Sequence, residues 1–218
     1  MDQTKRERIL NIEKDTLGTK YEFVTENDGT CKPIGQGGSG IVYIANQIFS
    51  SDKSAYSKRA VKFFAYKDDL VAKLGFVSNE NFDVEINNIC RFNHQNILKV
   101  VDGNYYDVTI KNDDGTETIE HIPYTVTEFI DGPTLEELFE IENKNLCQSI
   151  IKDEDSVFEL FHQTLVGIEY LHKNNFYHCD IAPKNIFIKS TDSDFFAVIG
   201  DLGAGKTTTT HAFKRLGL

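Results

Sequence analysis

Three side chains frame the chemistry open to this sequence. In His178-Cys179-Asp180-Ile181-Ala182-Pro183-Lys184-Asn185 an Asp and an Asn stand five positions apart, and Asp201-Leu202-Gly203 follows. Together they can supply a proton acceptor and two hard oxygen ligands for a divalent cation around one phosphate. Nearer the N-terminus, Gly35-Gln36-Gly37-Gly38-Ser39-Gly40-Ile41-Val42 fits G-x-G-x-x-G-x-V. Glycines let a backbone approach anionic oxygens and take positive φ, so successive amides can point at a phosphate. Alone, such a run is as often a plain turn. A dinucleotide-binding loop would open a helix, whereas Ile41-Val42-Tyr43-Ile44 reads as a strand. Lys62 lies inside the apolar stretch Ala60-Val61-Lys62-Phe63-Phe64, where a buried ammonium needs an anion. Glu85 is a candidate; the alternative is that both are surface charges.

These groups need elements to hold them. Strands are expected from Tyr21 onward, at Ile41 to Ile44, at Ala60 to Phe64, at Asn104 to Ile110 and at Ile119 to Ile130, with Pro123 marking an edge or a bulge. Phe82, Ile86, Ile89 and Phe92 recur at near-helical spacing. After Asp131-Gly132-Pro133, Thr134 suits an N-cap for LEELFEI. A long helix is expected beyond Asp155, with Phe158, Phe161, Leu165, Ile168 and Leu171 as its buried face. Two short strands, Ile186 to Lys189 and Phe195 to Ile199, flank a TDSD turn. The expected organisation is a polar leader over 1–20, a first lobe over 21–130 and a second over 131–218.

The chain has 218 residues, 40% hydrophobic and 26% charged, a globular composition. With 23 basic against 34 acidic residues and a formal charge of -11, nucleic acid and anionic membrane are not its expected partners. Cys31, Cys90, Cys147 and Cys179 form no C-x-x-C pair and read as reduced thiols of a cytoplasmic protein. Nothing in the sequence speaks to oligomeric state.

In order and spacing, the glycine run, Lys62, Glu85, HCDIAPKN and DLG resemble the motifs of the eukaryotic-type protein kinase family, over roughly residues 30 to 206. The resemblance implies an α+β, bilobal protein-kinase-like fold: a five-stranded antiparallel N-lobe with one helix, and an incomplete, mainly helical C-lobe ending in the activation segment. It implies ATP and Mg2+ as cofactors and a protein as substrate. Gly35, Gly37 and Gly40 would cover the phosphates, and Lys62 would contact them while paired with Glu85. Ile34, Val42, Ala60 and Phe187 would enclose the purine beside Thr127, with backbone bonds from Glu128 and Ile130. Asp180 would align the acceptor hydroxyl, Asn185 and Asp201 would hold magnesium, and Ile89, Val100, His178 and Leu202 would form a stacked apolar spine.

The sequence also departs from the family. Cys179 replaces the Arg that meets a phosphorylated activation loop, which implies little dependence on that switch. Ala182 replaces a common Lys, and Lys184 can fill the gap; Pro183 favours a Ser/Thr acceptor over Tyr. No A-P-E-like segment follows Asp201, so the resemblance leaves a minimal kinase or a piece of a longer one, the second predicting exposed apolar surface. A nucleotide-binding pseudokinase or interaction module is the alternative. A further rival lies in Gly200-Asp201-Leu202-Gly203-Ala204-Gly205-Lys206-Thr207, which satisfies the P-loop pattern G-x-x-x-x-G-K-[ST]. A P-loop ATPase needs a parallel sheet around that segment and leaves Lys62, Glu85, Asp180 and Asn185 without a role.

Overall fold

The computed structural model describes residues 16–18, 20–37, 40–49, 56–64, 86–87, 89–111, 114–140, 145, 150–191 and 194–207. Two compact units emerge: Met1–Cys90 with Val100–Phe129, and Arg91–Lys99 with Ile130–Leu218. Residues 91–99 thus leave the first unit to pack in the second, a crossing that the expected division at 130 does not contain.

Among the described residues the first unit holds an antiparallel sheet of seven strands: β1 (Thr16–Leu17), β2 (Tyr21–Phe23), β3 (Gly35–Gln36), β4 (Ile41–Ile48), β5 (Tyr56–Phe63), β6 (Val100–Lys111) and β7 (Glu117–Glu128). Their order is β1-β2-β4-β5-β7-β6, with β3 paired to β4. The count exceeds the expected five because the strand from Tyr21 breaks into β2 and β3. In addition, Thr16–Leu17, placed in the polar leader by sequence, pairs with Tyr21 and Glu22. Period-two alternation builds the core: Ile41, Tyr43 and Ala45 of β4, Val61 and Phe63 of β5 and Val126 of β7 are buried on one face. Phe63 lies at its centre, with the Tyr106, Tyr43 and Tyr124 ring centroids at 5.4, 6.1 and 5.8 Å. Burial pushes the Tyr43 phenol up to about 12.

Pro123 is neither on the edge strand nor at the bulge. It lies within β7 opposite Tyr105, while the register shift falls at Val100/Asp102. The β5 ladder ends at Phe63 opposite Tyr124, so the Pro sits just past the point where β7 needs a donor toward β5. Its carbonyl still accepts from the Phe64 amide at 2.9 Å. Of the helix expected over Phe82 to Phe92, Ile86, Asn87 and Ile89 are helical and Phe92 lies beyond its end; residues 82–85, including Glu85, fall outside the described ones.

The second unit contains α1 (Leu135–Phe139) and α2 (Glu154–Lys173). Thr134 and Glu137 close α1 with a reciprocal capping box. Asp153 caps α2, accepting from the Ser156 amide at 2.9 Å and its hydroxyl at 2.8 Å. The strands β8 (Phe176–Tyr177), β9 (Ile186–Ser190), β10 (Phe195–Ile199) and β11 (Lys206–Thr207) form two antiparallel pairs, β9 with β10 and β8 with β11.

The buried face of α2 keeps Leu171 from the expected one but is otherwise rotated. Leu160, Thr164, Gly167 and Leu171 face the core, whereas Phe158, Phe161 and Leu165 are 68%, 63% and 47% exposed. The large apolar side chains misled the periodicity because the middle of the interface, between Leu160 and Leu171, uses the small residues Thr164 and Gly167. A Cβ on Gly167 would meet Ile199 at 2.9 Å and the Asn96 carbonyl at 3.0 Å, so the helix approaches its neighbours closely there. The Thr164 hydroxyl is satisfied by the Leu160 carbonyl at 2.8 Å.

Candidate functional site

In the second unit, a hairpin register brings the candidate groups together. Pairing of Ile186 with Ile199 places Asn185 at the entry of β9 opposite Gly200 at the exit of β10, and the Gly200 amide donates to the Asn185 carbonyl at 2.8 Å. Asn185 and Asp201 therefore emerge at the same end of the hairpin. Gly200 allows this closeness, since a Cβ there would strike the Phe187 ring. Just before Asn185, Pro183–Asn185 forms a 3-10 turn with Pro at its start, where no amide donor is needed.

Asn185 then reaches back along the loop. Its Nδ2 donates to the Asp180 carbonyl at 2.9 Å and to Asp180 Oδ2 at 3.0 Å. Asn185 is buried while Asp180 is exposed, so a fixed amide orients an accessible carboxylate. His178 completes the frame. Its Nε2 lies 2.7 Å from the Gly200 carbonyl, and its Nδ1 accepts the Asp180 amide at 3.3 Å. A carbonyl only accepts and an amide N–H only donates, so the proton sits on Nε2. The ring thereby ties the loop bearing Asp180 to the segment bearing Asp201.

The backbone is held in uncommon conformations here. Cys179 and Asp201 have φ of 63° and 53°, a region that non-glycine residues occupy only where surroundings enforce it. Cys179 is exposed, with Sγ 3.4 Å from the Tyr177 carbonyl. Neither conformation was legible in the sequence, which marks no glycine at those positions.

The donor set fits a hard divalent cation. With Nδ2 committed to Asp180, the Asn185 Oδ1 is the atom left to face a cation, and Asp201 adds a half-buried carboxylate. Among the described residues no group of three or more His, Cys, Asp or Glu could hold a metal. Lys184 is exposed on the 3-10 turn beside these groups.

In the first unit, the sheet face opposite the aromatic core carries another set. Val42 pairs with Lys62, Lys62 with Thr125, and Ala60 with Thr127, so these side chains share one face. Val42, Ala60, Lys62 and Thr127 are half-buried. Lys62 Nζ stands 5.4 Å from the Phe64 ring centroid. Ile34 is exposed at 53% and Gly35 pairs with Val42. The Gly37 amide donates to the Gly40 carbonyl at 2.9 Å, and a Cβ on Gly40 would collide with the Phe63 carbonyl, so Gly40 is required by packing as well as by any ligand. Glu128 ends β7, and its carbonyl accepts the Thr127 hydroxyl at 3.0 Å. Ile130 is buried in the second unit, as is Phe187 in part. Ile89, Val100, His178 and Leu202 are each buried in their own unit.

The P-loop alternative fails on geometry. β10, the strand before Gly200, is antiparallel to β9, and Lys206–Thr207 is a strand paired with β8 where that motif requires the first turn of a helix. A Cβ on Gly205 would fall inside the Phe176 ring, so this glycine serves core packing.

A family model for the protein kinase domain matches residues 30–215. The chain belongs to the protein kinase domain family. It is 39% identical over 80 residues to the eukaryotic translation initiation factor 2-alpha kinase 1 of Plasmodium falciparum, covering 37% of this chain and 5% of that protein. With the interferon-induced, double-stranded RNA-activated protein kinase of Rattus norvegicus it shares 27% identity over 198 residues, 87% of this chain and 34% of the relative. With the tyrosine-protein kinase receptor svh-2 of Caenorhabditis elegans it shares 30% over 184 residues, 84% of this chain and 14% of the relative. The chain therefore spans 34% or less of the length of these curated relatives.

Proposed function

We propose that this protein transfers the γ-phosphate of ATP to a protein hydroxyl, of Ser or Thr rather than Tyr. The observation that carries the reading is the Asn185 amide bound to the Asp180 carboxylate, on a hairpin end shared with Asp201. Asp180 aligns the acceptor hydroxyl and takes up its proton, and its fixed orientation makes this a matter of positioning. Asn185 Oδ1 and the Asp201 carboxylate hold magnesium. Bound there, the ion neutralises charge that develops on the phosphates. Lys62 contributes a cation for the nucleotide phosphates, and Gly35, Gly37 and Gly40 contribute backbone amides. Ile34, Val42, Ala60 and Phe187 are the apolar surfaces for the adenine, with Glu128 and Ile130 as its backbone partners. Glu85 is assigned to orient Lys62, and Lys184 to support the transferred phosphate.

Pro183 beside Lys184 supports the Ser/Thr assignment. Cys31, Cys90 and Cys179 form no disulfide, which suits a cytoplasmic setting, and no helix among the described residues is long and apolar enough to cross a membrane. The exposed Phe158, Phe161 and Leu165 on α2 favour a second reading, a nucleotide-binding module that works by engaging a partner. Phosphoamino-acid analysis of protein labelled from γ-labelled ATP tests the choice. Phosphoserine or phosphothreonine is the expected result. Phosphotyrosine alone would overturn the acceptor class, and binding of ATP with no label transferred would favour the second reading.

A further inference from the structure

In the first unit one carboxylate joins strands from opposite ends of the sheet. β2 and β6 are separated by β4, β5 and β7, yet the Tyr21 hydroxyl donates to Asp102 Oδ2 at 3.0 Å and Lys20 Nζ reaches the same oxygen at 3.4 Å. The sheet is therefore curled until its two ends meet. Tyr21 is 2% exposed, and burial together with the Asp102 carboxylate beside it pushes its phenol up, so it stays a donor. The other carboxylate oxygen is also in use: Asp102 Oδ1 accepts the Gly103 amide at 2.9 Å. Asp102 stands where the β6 register shifts. Val100 pairs with Thr127 and Asp102 with Val126, leaving Val101 as the extra residue of a bulge. Beyond it, Asp102 shares the core face of Val126, while Gly103 lies opposite Thr125, itself opposite Lys62. A helical turn sits on that second face. A Cβ on Gly103 would meet the buried Ile86 side chain at 2.9 Å, and the Cys90 amide closes the turn onto the Ile86 carbonyl at 2.9 Å.

We propose that Tyr21 is a positioning residue, a latch by which the N-terminal strand pair holds the β6 bulge and, through it, the seat of the Ile86 turn beside Lys62. The inference rests on the phosphotransfer reading, in which Glu85, the residue before Ile86, orients Lys62. Asp102 suits a latch because each of its oxygens holds a different segment, Oδ1 the bulge and Oδ2 the N-terminal strand. A hydrogen bond to a charged acceptor is stronger than a neutral one. Without Tyr21, Oδ2 keeps only Lys20, whose side chain is 68% exposed and fixes the geometry weakly. Gly103 puts no side chain between sheet and helix, so a shift of the bulge passes directly to Ile86. Release of β2 from Asp102 therefore loosens the helical turn with no change at any residue assigned to the nucleotide.

Amide hydrogen exchange of the 218-residue chain, compared among wild type, Tyr21→Phe, Asp102→Ala and Val108→Ala, tests the latch without reference to catalysis. Tyr21→Phe keeps the buried ring and removes only the hydroxyl, so the fold is retained. Val108→Ala loosens the same core away from Asp102 and serves as the control. Tyr21→Phe is expected to speed exchange about tenfold at Cys90 and Gly103 beyond any change along β4. Asp102→Ala should give the same pattern, and combining the two should add little. Single-turnover transfer from γ-labelled ATP should fall about tenfold in Tyr21→Phe and less than about twofold in Val108→Ala. Exchange that quickens no more at Cys90 and Gly103 than along β4, the same pattern in Val108→Ala, or additive effects of the paired variants would overturn the latch. Full transfer by Tyr21→Phe would overturn its positioning role. A wild type that transfers no phosphate would instead sink the phosphotransfer reading, and the exchange pattern then decides the latch alone.

Discussion

Asn185 is hydrogen-bonded through one side-chain nitrogen to both the carbonyl and the carboxylate of Asp180, at 2.9 and 3.0 Å. One buried residue thus orients the exposed acid and turns its own oxygen away from it. Asn185→Ala is expected to weaken magnesium-dependent nucleotide binding by about 10–100-fold, read by titrating ATP at fixed metal. Asn185→Asp should recover metal affinity in part but place a second negative charge against Asp180, lowering turnover without loss of binding.

His178 should be detectable as the Nε2–H tautomer, because its two partners are a carbonyl and an amide. Imidazole nitrogen shifts measure this directly. His178→Phe keeps the buried ring but strands the Gly200 carbonyl and the Asp180 amide, at an expected cost of about 1–3 kcal/mol in stability. Turnover should fall further than the melting temperature suggests, since both segments that carry the site are untied.

The α2 register makes a sharp contrast. Leu171 is 1% exposed and Phe161 63%. Leu171→Ala should destabilise by about 2–5 kcal/mol, whereas Phe161→Ser should stay within about 0.5 kcal/mol. Chemical denaturation of both variants checks it, and equal losses would return Phe161 to the buried face expected from sequence.

That contrast also shows what was legible. The β9–β10 hairpin could be read because Ile186 to Lys189 and Phe195 to Ile199 are apolar runs around a polar turn, and its register then follows. Thr134 could be read as a cap because the first free amides of a helix need an acceptor. The α2 face could not be read, because Thr164 and Gly167 look polar or neutral and bury by close approach. The bond of Tyr21 to Asp102 was equally silent: it joins residues 81 positions apart through a phenol whose partner only the fold supplies. The left-handed φ of Cys179 and Asp201 leaves no residue signature, since neither position is a glycine.

Asp153 gives α2 a pH-dependent start. Hydrogen bonds from the Ser156 amide and hydroxyl hold its carboxyl below the ordinary range. A depressed carboxyl stabilises the fold above its unfolded pKa, and that contribution is lost as pH falls through the folded value. Thermal melts should therefore show wild type losing more stability on acidification than Asp153→Asn, which keeps an uncharged cap. Parallel losses would remove Asp153 from the acid response.

The central claim is that Asp180, oriented by Asn185 beside Asp201, serves phosphoryl transfer. Single-turnover transfer of label from γ-labelled ATP and magnesium to protein, compared among wild type, Asp180→Ala and Lys206→Ala, tests it most directly. The account predicts that Asp180→Ala binds ATP normally yet loses about 10²-fold or more in transfer, while Lys206→Ala transfers at the wild-type rate. Transfer that survives in Asp180→Ala and disappears in Lys206→Ala would contradict it.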